Sequence, residues 1–256
     1  MKVVILAGGL GTRLSEETEN KPKPMVQIGE KPILWHLMDV FSKQGFDEFI
    51  LALGYKSEVI KRWLVDLSEL EGDLVISAER GIQREFSDVS RKTWKVTALE
   101  TGLNSQTGGR IKLCMNKLPN ETIIVTYGDG LANVPIAKLI EFHKSHGKLA
   151  TVTAVRPPAR FGYMQIENNS VKHFGEKNQM DEGWINGGFF ILEPEVSSYV
   201  MSLDEPFETG ALPRLVQDSQ LMAFEHEGFW QPMDTLREKL ELSNLAKLDV
   251  PPWLIF

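Results

Sequence analysis

Leu6-Ala7-Gly8-Gly9-Leu10-Gly11-Thr12-Arg13 places three glycines and an arginine directly after an apolar run. Glycines let backbone N–H groups approach an anion without interference from Cβ. The guanidinium adds a forked donor suited to phosphate oxygens. Lys23 follows ten residues after Arg13, inside Lys21-Pro22-Lys23-Pro24-Met25. The flanking prolines restrict the backbone on both sides of this lysine. Together Arg13 and Lys23 form a clamp for a polyphosphate, one as a fork and the other as a point charge. The Walker A pattern is excluded, because no Lys-Ser/Thr follows the glycines, and the dinucleotide fingerprint needs a glycine where Leu14 stands. Without the two basic residues, the glycines would read equally well as a tight structural turn.

Asp129 lies in Gly128-Asp129-Gly130, immediately after the apolar run Ile123-Ile124-Val125-Thr126-Tyr127. Ligands of parallel sheets sit beyond the carboxyl ends of the strands, and this is such an end. A carboxylate there suits Mg²⁺, which takes one or two carboxylates and completes its shell with water and substrate phosphates. An Asp serving only the turn is the alternative. A DxD motif needs a second Asp at position 127 or 131, and Tyr127 and Leu131 occupy those places. The second metal ligand must come from elsewhere, and Asp234 is the candidate. Its position just before a predicted helix favours a helix N-cap on spacing alone.

Other groupings carry less. Glu176-Lys177 joins an acid and a base that could hold sugar hydroxyls and a phosphate, or form a surface pair. Asn186-Gly187-Gly188 interrupts an apolar strand, which predicts a bulge or close approach of a ligand. Thr107-Gly108-Gly109-Arg110 is a helix start or a second nucleotide contact. His143 and His146 sit three apart on a predicted helix, without an HExxH pattern, and read as exposed polarity rather than a metal site.

The elements that position these residues alternate. Val3 to Leu6, Phe49 to Leu53, Leu74 to Ile76, Val96 to Leu99, Ile123 to Tyr127 and Ala150 to Val155 are strand-like. Helices are predicted from Pro32, from Ser57 as its cap, over Val134 to His143, and over Thr235 to Leu248. Such alternation predicts an α/β fold, a Rossmann-like, mainly parallel sheet flanked by helices. Residues 156–192 read as a smaller antiparallel sugar-facing lobe laid against the sheet. The charged stretch 78–94 is a solvated loop or a protruding arm meeting a partner subunit. The tail Pro251 to Phe256 packs on the core or on a neighbour. No composition shift marks a boundary, so 1–256 reads as one domain.

The chain has 256 residues and 28 Lys+Arg against 35 Asp+Glu, a net charge of −7. This acidity disfavours general binding to nucleic acid or to an anionic membrane, so an anionic ligand needs a local basic site, a metal, or both. Cys114 is the single cysteine, which excludes an internal disulfide. No run reaches the roughly 18 apolar residues of a membrane span. The apolar stretch after Met1 is too short for a signal-peptide core, and a cytoplasmic location is the default.

The glycine loop with its arginine, followed by Lys21-Pro22-Lys23-Pro24-Met25, resembles the signature of the sugar-phosphate nucleotidyltransferases. Lys31-Pro32-Ile33-Leu34-Trp35-His36, Thr107-Gly108-Gly109-Arg110, Tyr127-Gly128-Asp129-Gly130, Trp184 to Phe190 and Gly228 to Arg237 point to its cytidylyl-transferring branch. The resemblance implies CTP and α-D-glucose 1-phosphate as substrates, giving CDP-glucose and pyrophosphate. It implies that Leu6, Ala7, Gly8, Gly9, Leu10, Gly11, Thr12, Arg13 and Lys23 hold the nucleotide, with Ser105, Arg110 and Gly128 completing that site. It assigns Mg²⁺ to Asp129 and Asp234, and the sugar phosphate to Glu176, Lys177, Asn186 and Gly187. Arg13, Lys23, Asp129 and Asp234 become the catalytic set. It further implies a homo-oligomer, a hexamer in relatives, with residues 78–110 as the arm near a neighbour's nucleotide site. Two places depart from the family's pattern: Asn178 stands where a proline usually follows the Glu-Lys pair, and residues 207–214 fit poorly. UTP or dTTP as the nucleotide, or a non-catalytic sugar-nucleotide sensor, stay open as alternatives.

Overall fold

The computed structural model of the chain describes residues 1–11, 14–70, 73–77, 81–85, 93–157, 162–167, 169–176 and 183–256. Their order is β1 (Val3–Ala7), α1 (Ser15–Thr18), β2 (Gln27–Ile28), β3 (Lys31–Pro32), α2 (Ile33–Ser42), β4 (Glu48–Leu53), α3 (Ser57–Leu70), β5 (Asp73–Ser77), β6 (Gly81–Glu85) and β7 (Lys95–Glu100). Then come α4 (Thr107–Asn116), β8 (Ile123–Tyr127), β9 (Gly130–Ala132), α5 (Ile136–His146), β10 (Ala150–Val155), β11 (Gly162–Glu167) and β12 (Ser170–Glu176). The last are β13 (Ile185–Leu192), α6 (Ala211–Gln217), β14 (Leu221–His226), β15 (Trp230–Pro232) and α7 (Leu236–Leu245).

Seven strands form the central sheet in the order β14-β10-β13-β8-β1-β4-β7. β1 pairs in parallel with β4 on one side and β8 on the other, and β4 continues in parallel to β7. β13 runs antiparallel to both β8 and β10, while β14 rejoins β10 in parallel. The sheet is therefore mainly parallel, as the alternating pattern predicts, with one reversed strand.

Both faces are covered, which is why the strands read as continuous apolar runs. Val3, Ile5 and Ala7 point to one core, where α2 contributes Leu34, Leu37, Met38 and Phe41. Val4 and Leu6 point to the other, filled by Ile111, Cys114 and Met115 of α4 and by Ala211 and Leu215 of α6. The chain order reverses its direction across the sheet at β1, between β4 and β8, the kind of switch point at which open α/β sheets bind ligands.

Several expectations change in three dimensions. The predicted lobe 156–192 divides: β11 and β12 form an antiparallel hairpin, but β13 is an interior strand of the main sheet. A long run of apolar residues from Phe189 to Leu192, all buried, fits a sheet interior better than a half-exposed lobe. Among the described residues β5 pairs with β6 alone and stays outside the central sheet. Ser57 is the first residue of α3, not its cap, and its hydroxyl donates to Glu100. α5 starts later than expected, after Pro135, and ends at Gly147 with φ +62°. His143, expected to be exposed, is buried and sits between Thr151 and Glu193. Trp253 of the tail is fully buried in the first core, while Ile255 and Phe256 remain exposed. Residues 78–80 and 86–92 of the predicted arm lie outside the described residues.

Candidate active site

β1 and β8 end at one edge of the sheet, and their following residues form a cavity of about 240 Å³. Its wall includes Gly8, Gly9 and Gly11 of the glycine loop, Lys23, Ser105 and Gly128. Leu6, Ala7, Arg110, Asp129 and Asp234 also line it, so residues spread over the chain converge as their types suggest. Leu10 is exposed, at 56 %, and Thr12 and Arg13 lie outside the described residues.

The loop owes its shape to close packing. Gly11 has φ +66°, a conformation that L side chains rarely adopt. A Cβ at Gly8 would lie 2.2 Å from Nη1 of Arg110. Arg110, buried in the first turn of α4, donates from Nη2 to the carbonyl of Gly8 at 2.9 Å. Its Nη1 reaches the carbonyls of Leu53 and Gly102, both at 2.9 Å, and Thr101 Oγ1 at 2.6 Å. The guanidinium thus fastens the turns after β1, β4 and β7 to one another. Ser105 turns its hydroxyl to the carbonyl of Thr101.

Asp129 and Asp234, 105 positions apart, meet through a short antiparallel pairing. β9 follows Asp129 and pairs with β15, Gly130 opposite Pro232. The Met233 N–H then donates to the carbonyl of Asp129 at 2.8 Å. Asp234 is not the cap of α7. Thr235 takes that place in a capping box with Glu238, in which Thr235 Oγ1 accepts from the Glu238 N–H and the Glu238 carboxylate accepts from the Thr235 N–H. The Asp234 N–H also donates to Glu238, at 2.7 Å. With the cap supplied by its neighbour, the Asp234 carboxylate is turned to the cavity.

Lys23 closes the arrangement. It sits in a single 3₁₀ turn, Lys23–Met25, and is almost fully buried. Its Nζ donates to Asp129 Oδ2 at 2.8 Å and to Asp234 Oδ1 at 2.6 Å. Burial alone works against the ammonium, but the two carboxylates outweigh it and hold Lys23 above the ordinary lysine range. A cation therefore already bridges both acids. This is the donor set a hard divalent ion uses: two carboxylates next to a phosphate-binding loop, with the rest of the shell left to water and phosphate. Among the described residues no group of three or more His, Cys, Asp or Glu could hold a metal by itself.

A second cavity, of about 780 Å³, shares Asp129 and Asp234 with the first and is also lined by Glu208. Asn186 lines it, as does Trp230, whose indole N–H donates to the carbonyl of Gly187 at 2.8 Å. The expected bulge is present: the β10–β13 register shifts between Val152 and Ala154, and Gly188 has φ +85°. A Cβ at Gly188 would lie 2.4 Å from the Tyr127 ring, so that glycine is what allows the tyrosine to stand there. Burial first, and then the Glu208 carboxylate, hold the Tyr127 phenol above the ordinary tyrosine range. Glu176 closes β12, but its side chain and all of Lys177 lie outside the described residues. Glu208 was not singled out from the sequence, while Thr107 and Tyr127 were named only as members of the motifs Thr107 to Arg110 and Tyr127 to Gly130, with no role of their own. Tyr127 had one usable signal, its place as the last strand residue before Gly128-Asp129.

The nucleotidyl transferase family model matches residues 2–244. The chain belongs to the nucleotidyl transferase family. It is 48 % identical to glucose-1-phosphate cytidylyltransferase of Salmonella typhi, over 99 % of this chain and 98 % of that protein. A probable glucose-1-phosphate cytidylyltransferase of Bacillus subtilis is 40 % identical over the whole of both chains. Among solved structures, HddC from Yersinia pseudotuberculosis superposes with a TM-score of 0.70 at 27 % identity, covering 96 % of this chain and 99 % of that one. The resemblance and the mainly parallel α/β architecture expected from the sequence are both borne out. Among the described residues no helix is long and apolar enough to cross a membrane.

Proposed function

We propose that this chain transfers the cytidylyl group of CTP to α-D-glucose 1-phosphate, giving CDP-glucose and pyrophosphate. Near-complete alignment with the Salmonella typhi cytidylyltransferase supports the substrates. The observation that carries the chemistry is the meeting of Lys23, Asp129 and Asp234 on one wall of the glycine-loop cavity.

A phosphate oxygen of the sugar phosphate is the nucleophile. It bonds to the α-phosphorus of CTP as the bond from that phosphorus to the bridging oxygen of pyrophosphate breaks, and the electron pair leaves with pyrophosphate. No covalent residue is needed. The protein must hold two anions in line and balance charge on the α-phosphoryl group. Glycine-loop N–H groups and Arg13 are assigned to the phosphates of the nucleotide, and Ser105, Arg110 and Gly128 to the cavity around it. Arg110 does this by holding the Gly8 carbonyl and thereby the loop. Asp129 and Asp234 would hold Mg²⁺, which when bound neutralises phosphate charge and orients the two reactants. Lys23, whose ammonium lies at the same carboxylates, has the charge and reach to turn to the α-phosphate or sugar phosphate. Glu176, Lys177, Asn186 and Gly187 are assigned to the sugar-phosphate side, and the assembly is a homo-oligomer, a hexamer by resemblance.

Pyrophosphate release with CTP, UTP, dTTP and GTP against glucose 1-phosphate tests the reaction. CTP should exceed the others by at least tenfold. Faster turnover with UTP or dTTP would reassign the base, and no release with any nucleotide and several sugar phosphates would leave the sensor reading. Asp129→Asn should lower kcat by about 10²-fold or more.

A further inference from the structure

Glu208 lies in the stretch 207–214, just before α6, and lines the cavity on the sugar side but not the glycine-loop cavity. Its two carboxylate oxygens are tied to different walls. Oε2 accepts from Thr107 Oγ1 at 2.7 Å, at the first residue of α4. Oε1 accepts from the phenol of Tyr127, the last residue of β8. The Tyr127 oxygen accepts in turn from Asn186 Nδ2 at 3.1 Å, and Asn186 Oδ1 accepts from the Gly188 N–H at 2.8 Å. Thr107 Oγ1 accepts from the Phe207 N–H at 2.8 Å.

The directions in this chain follow from proton counts. Thr107 and Tyr127 each own one hydroxyl proton, and both protons point to Glu208. Both hydroxyl oxygens also accept from a fixed N–H. The carboxylate is thus the common acceptor at the end of two donor chains. Each of its oxygens has capacity for about two hydrogen bonds, and each takes one from the described residues. Glu208 lines the same cavity as Asp129 and Asp234. An anionic acceptor pair of fixed orientation, with nothing but acceptor capacity to offer, matches donors spaced along a ring: the hydroxyl groups of a sugar.

Resting on the reaction proposed above, we infer that Glu208 is a specificity-determining residue for the sugar phosphate. Its carboxylate accepts hydrogen bonds from ring hydroxyls of the incoming sugar, while Tyr127 and Thr107 hold it in register with Asn186 and the start of α4. A site built to accept from a hydroxyl discriminates strongly against the analogue that lacks it. A carboxylate partner makes that bond stronger than a neutral one.

The test is steady-state kinetics at saturating CTP, with glucose 1-phosphate and its 2-, 3-, 4- and 6-monodeoxy analogues, on wild type, Glu208→Gln and Tyr127→Phe. Glucose 1-phosphate should be preferred over at least one deoxy analogue by about 10²-fold or more in kcat/KM in the wild type. In Glu208→Gln the KM for glucose 1-phosphate should rise by about 10- to 100-fold, the KM for CTP should stay within about threefold, and that deoxy penalty should fall below about tenfold. Tyr127→Phe keeps the carboxylate, so its deoxy penalty should persist. If Glu208→Gln does not fold, Glu208→Asp must lower kcat/KM for glucose 1-phosphate more than for the penalised analogue. An active Glu208→Gln enzyme with unchanged deoxy penalties, or with KM rising equally for both substrates, overturns the inference. A wild type that releases no pyrophosphate with any nucleotide defeats the proposed reaction first, and that outcome is distinct from the other.

Discussion

Replacing Lys23 by methionine separates two roles of its ammonium. In the free enzyme the ammonium lies 2.8 Å from an Asp129 oxygen and 2.6 Å from one of Asp234. Coulomb attraction at an effective dielectric of about 20 would be roughly 6 kcal/mol per contact before desolvation. The Asp129 side chain is 41 % exposed and that of Asp234 21 % exposed, and screening by water reduces the net contributions to about 1–2 kcal/mol each. A divalent ion entering the free enzyme must displace that ammonium or share its carboxylates. Lys23→Met removes the competitor with a side chain that fits the same buried space. The free variant should therefore bind Mn²⁺ about 10- to 100-fold more tightly, equivalent to about 1.4–2.8 kcal/mol. Titration of Mn²⁺ followed by electron paramagnetic resonance, without nucleotide, reads this directly. The gain should vanish in Lys23→Met/Asp129→Asn. Turnover should move the other way, with kcat falling by about 10²- to 10³-fold as a phosphate contact is lost. Equal or weaker Mn²⁺ binding in the single variant would refute the view that Lys23 and a metal compete for the same two carboxylates.

Three further outcomes follow from the packing. A Cβ at Gly109 would lie 2.0 Å from the carbonyl oxygen of Leu203, so Gly109→Ala should lower stability by about 2–4 kcal/mol and the Tm by roughly 5–15 °C; Gly9→Ala, which meets nothing within 4 Å, should leave the Tm within about 2 °C. Burial pushes the Cys114 thiol up to about 12, so an aromatic disulfide reagent at pH 8 should label none of it in the native protein and one equivalent after unfolding. Burial also lowers His36, His146 and His226. All three are neutral in both states well above about pH 6.5, and below it the unfolded chain takes up protons first. Urea midpoints should thus fall from pH 7.5 to pH 5, less so in His36→Gln; a midpoint that rises on acidification would contradict this.

The glycine loop, Lys23 between its prolines and Asp129 after an apolar strand were legible because each is a local pattern. Strand ends, turn glycines and proline-restricted lysines are written within a dozen residues, and the apolar runs announced a sheet covered on both faces. The identity of Asp234 was not local. On spacing it was a helix cap, and only the capping box of Thr235 and Glu238, with the β9–β15 pairing, turned it toward Asp129. The course of β13 was hidden for a related reason: glycines and an antiparallel direction look the same in a small lobe as in the interior of a sheet, and the choice depends on which neighbours supply hydrogen bonds.

Arg110 and Glu208 mark the limit most clearly. As residue types they suggest a phosphate contact and a surface acid. Tertiary packing instead gives Arg110 carbonyl partners at the end of β4 and in the turns after β1 and β7, and gives Glu208 two hydroxyl donors from elements 81 and 101 positions away. Sequence alone determined which groups carry the charge and which strands end at the ligand edge, since those follow from side-chain chemistry and periodicity. The tertiary structure alone decided which charges face one another, because that depends on strand order and pairing across more than a hundred residues.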